Sequence, residues 1–148
     1  MKPRIVLALA ACLITTSAGA EVTVTEAWVR GTVPAQKATG AFMKLKSADE
    51  AKLVGAASPA AKIVEVHEMS MKGNVMQMRA VDAIALPAGK VVELKPGGYH
   101  VMFIDLVKPL EKGASVPIML TFVGKDGKKV TQEVKAEVRS PSGEAHKH

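Results

Sequence analysis

The sequence predicts an all-β sandwich or barrel folded as a single domain. Three observations carry that expectation. About eight short runs with Val and Thr prominent among them alternate apolar with polar residues. Clusters of Pro, Gly, Asn, Asp and Ser separate these runs at short intervals. No stretch keeps a convincing helical period, and no repeat or linker breaks the series.

Taken in order, Glu21 to Arg30 alternates and reads as the first strand. Gly31 to Gly40, with Pro34, reads as a loop, and Ala41 to Lys46 as a second strand. Ser47 to Ala51 makes a turn, Lys52 to Ala57 a shorter strand, and Ser58-Pro59 closes it. From Lys62 to Met69 the alternation is regular, with Val64 and Val66 on one face and Ile63, Glu65, His67 and Met69 on the other. Gly73-Asn74 suits a two-residue hairpin turn. That turn sets Lys72 opposite Val75, Met69 opposite Met78 and Glu68 opposite Arg79, and makes His67 a diagonal neighbour of Met78.

Leu86 to Gly89 forms the next turn, Lys90 to Leu94 a strand, and Lys95-Pro96-Gly97-Gly98 another turn. Tyr99 to Val107 is strand-like, with His100 and Met102 two apart on one face. After a loop from Lys108 to Ala114, Val116 to Val123 and Lys129 to Val138 pair across Gly124 to Gly127. The domain is expected to span 21–139. Residues 140–148 have the polar look of a disordered tail.

The first twenty residues predict an export address. MKPR supplies a short basic start, an apolar run follows, and Ala18-Gly19-Ala20 is a cleavage site, so 1–20 reads as a signal peptide. The alternative is a lipidated Cys12, since Leu9-Ala10-Ala11-Cys12 resembles a lipobox. Cleavage after Ala20 leaves 128 residues with net charge +4, enough chain for one core without staples. The charge is mild and few aromatics are interleaved with it, which argues against nucleic acid. Cleavage also removes the single cysteine. The mature chain would then have neither a disulfide nor a thiolate exposed to an oxidising compartment. That compartment is expected to be the periplasm.

Five of the eight methionines and two of the four histidines fall between His67 and Met102. His67, Met69, Met71, Met76, Met78, His100 and Met102 make a cluster of imidazole and thioether donors. Thioethers select soft ions such as Cu(I) over zinc, calcium or magnesium. Neutral ligands leave the ion's charge uncompensated, which suits a site that gives its ion up. Blue-copper electron transfer would need a cysteine ligand. The bland reading has weight: methionine fills gaps in cores, and a single strand histidine is usually an ordinary polar residue. The joint pattern favours metal, because His and Met share a face at 67 and 69 and again at 100 and 102.

At this point the sequence resembles a known family. His67, ten residues, Met78, twenty-one residues, His100, one residue and Met102 match the motif of the periplasmic copper chaperones called PCuAC. His67-Glu68-Met69 and Pro96 to Met102 are similar to its signature segments. The likeness extends over Ala27 to Arg30, Ala38 to Phe42 and the last hairpin. It implies a cupredoxin-like, Greek-key β-sandwich that holds one Cu(I) with His67, Met78, His100 and Met102 at an exposed edge. By the same resemblance the protein would be a monomer carrying copper toward cytochrome c oxidase subunit II or another copper chaperone. Met69, Met71 and Met76 are not ligands in that motif, and Met69 is expected to lie just behind the ligands.

His146 and His148 in the tail form a secondary candidate for Cu(II). No nucleophile elbow or phosphate loop is present. A histidine-brace oxygenase would need His where Glu21 stands, and no catalytic step is required by the cluster. The rival functions are a copper buffer without a dedicated acceptor and a structural β-sandwich without metal.

Overall fold

The computed structural model describes residues 22–141, which form strands and turns with no helix. The strands are β1 (Val22–Arg30), β2 (Ala38–Ser47), β3 (Ala51–Ala57), β4 (Ala61–Lys72), β5 (Val75–Ala80), β6 (Ile84–Leu86), β7 (Val91–Leu94), β8 (Tyr99–Leu106), β9 (Ser115–Gly124) and β10 (Lys129–Arg139). They make one mixed sheet ordered β5-β4-β8-β2-β1-β10-β9-β3-β6, with β7 on β2 off that path. The β1–β10 ladder is parallel and the others are antiparallel. β3 and β4 lie far apart in this order yet touch again, so the sheet curls around its core. The expected all-β class holds.

Two elements differ from the sequence reading. β2 begins at Ala38, because Ala38 to Ala41 pair with Ile104 to Val101 of β8. Pro34 and the polar residues around it made 31–40 look like loop, but Gly40 is a strand glycine beside a crowded pair of rings. A Cβ there would come 3.1 Å from Phe42 Cζ and 3.8 Å from His100 Cδ2. The short strand β6, which the sequence did not announce, exists through its ladder with β3 and buries Ile84 and Leu86.

β1 carries a bulge that matters for the site. Thr25 pairs with Lys44 but Trp28 with Phe42, so β1 holds one extra residue between the two ladders. Glu26 takes it up at φ 53° and pairs with Lys44 at 2.9 Å. Unbroken alternation from Val22 and Val24 would send Trp28 toward the core. The extra residue reverses the strand's faces, so Val29 is buried and Trp28 meets Phe42 on the outside.

β8 is the central strand of this half of the sheet. Val101 and Phe103 point into the core with Val29, Ala41, Leu45 and Val66, all buried. His100 and Met102 therefore point to the opposite, outer face. Gly31, just past β1, ties the β1–β10 end together by donating its N–H to Arg139 O at 2.7 Å. A Cβ on Gly31 would sit 2.5 Å from that same oxygen, and backbone cannot swing away as a side chain can. Gly31→Ala is expected to cost the apo protein about 1–3 kcal/mol, as overpacking does. Urea denaturation would read it, and a stability within about 0.5 kcal/mol of wild type would contradict it.

Candidate metal centre

The β4–β8 ladder sets His67 directly opposite His100, and Glu65 opposite Met102. The β4–β5 hairpin turns at Gly73, φ 66°, in the expected register: Glu68↔Arg79, Met69↔Met78, Lys72↔Val75. Alternation along these regular ladders puts His67, Met69, Met78, His100 and Met102 on one outer face. At the start of β8, Pro96 and Gly97 occupy the middle of a tight turn closed by Gly98 N–H to Lys95 O at 2.9 Å. Gly97 has φ 85°, the value a turn with proline before it demands. Gly98 then accepts the Met69 N–H at 3.1 Å, drawing β4 against the turn.

Both imidazoles are held so that one nitrogen is free. The carbonyl of Gly98 can only accept, so His100 Nδ1, 3.3 Å away, carries the proton. His100 Nε2 is left buried without a partner. His67 is the mirror case: its Nε2 donates to the Glu65 carboxylate at 2.7 Å, and its Nδ1 is buried and unpartnered. Buried polar atoms are seldom left unsatisfied, and two imidazole lone pairs this close make a donor pair. The ring centroids are 5.7 Å apart. Hydrogen bonds that fix the tautomer are what ligating histidines usually have behind them.

Beside the histidines lies a cleft of ≈ 300 Å³ whose walls include Met69, Met78, Met102 and His100 with Gly40, Phe42 and Gly97. His67 does not line it and approaches it only alongside His100. Met78 is 48 % exposed, whereas His100 is 5 % exposed. The nitrogen donors are thus set into the sheet and the sulfur donors stand at its rim. Among the described residues no three His, Cys, Asp or Glu side chains gather as metal ligands, so any ion held here would depend on thioethers. A larger cleft, lined in part by Pro59, Pro109 and Pro117, contains neither His nor Met.

A row of side chains runs across four strands to this point. Arg139 stacks on Trp28 at 5.0 Å, Trp28 lies 4.6 Å from Phe42, and Phe42 lies 6.2 Å from His100. Arg30 also covers Phe42, at 5.5 Å. Burial in this row holds the His100 pKa below its ordinary value, and the charges of His67 and Arg30 act the same way against the Gly98 hydrogen bond. A histidine that is harder to protonate when folded adds stability above its unfolded pKa, about 6.5, and that stability is lost as pH falls below it. Apo-protein Tm is therefore expected to drop between about pH 6.5 and 5, and His100→Gln should flatten much of that slope. An unchanged slope in the variant would contradict it.

Glu65 is the supporting residue the sequence reading did not single out. Alternation had put it on the right face, but only the fold shows its carboxylate on His67. His146, His148, the signal peptide and Cys12 lie outside the described residues.

With this geometry in hand, the likenesses to known proteins are specific. The LpqE-like family model, which describes candidate lipoproteins, matches residues 22–138. Lxx21020, a candidate lipoprotein of Leifsonia xyli subsp. xyli, is 32% identical over 148 residues, covering 94% of this chain and 87% of that one. The solution structure of CuI-DR1885 from Deinococcus radiodurans is 35% identical, with TM-score 0.58, over 84% of this chain and 83% of that one. The copper-bound PCuAC domain from PmoF2 is similar in fold, with TM-score 0.62 and 24% identity over 81% and 93% of the two chains.

Proposed function

The chain belongs to the LpqE-like family, relatives of the PCuAC domains with their cupredoxin-like fold, and from that premise we propose that it is an extracytoplasmic copper(I) chaperone. One observation carries the reading above the others. Two adjacent imidazoles, each with its tautomer fixed by a hydrogen bond, keep an unpartnered buried nitrogen apiece, and His100 shares its cleft with three methionines. His67 through Nδ1, His100 through Nε2, and Met78 and Met102 through sulfur are the ligands, with Met69 behind them.

This donor set has two nitrogens, neutral sulfurs and no carboxylate, which suits a soft monovalent ion and disfavours hard divalent ones. The copper-bound DR1885 and PmoF2 structures support copper as the cargo. The exposed Met78 suits a carrier, because an acceptor can replace this rim ligand before the imidazoles let go. No substrate is transformed in such a cycle, so the protein is not an enzyme in this reading. The acceptor is the dinuclear copper centre of cytochrome c oxidase subunit II or another copper chaperone, and the carrier is a monomer. The names of the family and of Lxx21020 support export. The exported form is either cut after Ala20 or anchored through Cys12, which N-terminal mass would tell apart.

The test is a Cu(I) titration of residues 21–148 under reducing conditions against a chromophoric chelator. One tight equivalent is expected, lost in His100→Ala. Absence of stoichiometric uptake by the folded wild type would end the carrier reading. If copper binds but apo subunit II gains none on mixing, subunit II is not the acceptor and the result favours a buffer.

A further inference from the structure

We propose that the tip of the β4–β5 hairpin is a second soft-metal site, formed by Met71 and Met76 and distinct from the histidine centre. The inference rests on the carrier reading, for which it supplies a point of entry. The β4–β5 register pairs Met69 with Met78 and Met71 with Met76, so two thioether rungs stack on one face of the hairpin. Directly opposed side chains have Cβ atoms about 4.5–5.5 Å apart, which lets both sulfurs of a rung reach one ion. The rungs are two residues apart, roughly 6.8 Å along a strand.

Packing does not explain these methionines. Every residue of β5 is exposed, and Met71 and Met76 are 62 % and 48 % exposed. A hairpin that merely had to be soluble would carry polar groups on both faces. The other face of this one is mostly polar, with Ser70 opposite Gln77, Glu68 ion-paired to Arg79 and Lys72 opposite Val75. The face continuous with His67 carries only thioethers beyond Ala80. Four unbranched, polarisable sulfurs leading from open solvent to the imidazoles form a ladder for a soft d10 ion, Cu(I) or Ag(I).

Two neutral thioethers hold such an ion more weakly than a rung joined by imidazoles. An ion taken at the tip therefore moves downhill to Met69 and Met78 and then to the histidines. Hard or borderline divalent ions such as Zn(II) gain little from thioether sulfur and do not stop there.

The experiment uses the full mature chain with 13C-labelled methionine methyl groups, titrated with Ag(I) as a redox-inert stand-in for Cu(I). The first equivalent is expected to shift Met78 and Met102. A second, weaker event should move Met71 and Met76 together, and Zn(II) should not reproduce it. Met71→Leu with Met76→Leu should abolish the second event and leave the first intact. Methyl groups of Met71 and Met76 that stay still while Met78 and Met102 respond would overturn the tip site and leave the carrier standing. Movement of all four within the first equivalent would likewise overturn a separate tip site. If no methionine responds, both readings fall.

Discussion

Cu(I) affinity is expected to fall by well over about 100-fold when Met78 and Met102 are both changed to leucine. Losing a residue that only supports a ligand costs about 10- to 100-fold, and here two donors go at once. The fold should survive. Met78 stands 48 % exposed at the rim and Met102 is half-buried on the outer face, so neither fills the core. A Met-to-Leu swap keeps volume and costs less than about 1.5 kcal/mol even where packing is tight. Met119 on β9 is the control, a methionine on a strand that does not adjoin the histidines. Leucine there should leave copper binding alone. Wild-type copper retention in the folded double variant would remove the thioethers from the centre.

Phe103→Ala should do the opposite, breaking the fold through the other face of the same strand. Phe103 is 0 % exposed and among the largest fully buried side chains, one residue from Met102. Truncating such a ring costs about 3–5 kcal/mol, through lost burial and the cavity left behind. Small domains have only about 5–15 kcal/mol to lose. Urea denaturation of the apo protein should show that drop. A loss of under about 1 kcal/mol would mean that the core behind β8 can collapse around the gap. The two experiments separate the faces of one strand, inner for stability and outer for binding.

How much of this was legible beforehand depended on the range of the interaction. The hairpin register was legible because Gly73-Asn74 fixes it locally, and the Met69–Met78 pairing followed from counting. The direct opposition of His67 and His100 was not. It comes from a ladder between β4 and β8, and nothing in either segment states which distant strand it will meet. Trp28 was hidden for a related reason: one residue of bulge, Glu26 in a left-handed conformation, reverses the strand's faces without disturbing its composition. Gly40 was read with the loop around Pro34, because its role, leaving room for the Phe42 and His100 rings, exists only once β2 and β8 are side by side. Glu65 was on the correct face by parity, but the reach of its carboxylate to His67 is a rotamer, which parity does not specify.

The aromatic row ends at the only tryptophan in the sequence. That gives the centre an intrinsic optical probe. The indole of Trp28 is separated from His100 by a single phenylalanine ring. The Arg139 guanidinium also lies against the indole, at 5.0 Å. An ion bound at His100 would change the charge at one end of this row. Emission from the other end would then be expected to report loading and unloading in unlabelled protein, without a competing chelator. Phe42→Leu, which removes the intervening ring, would be the variant in which that signal fades while the donors stay in place.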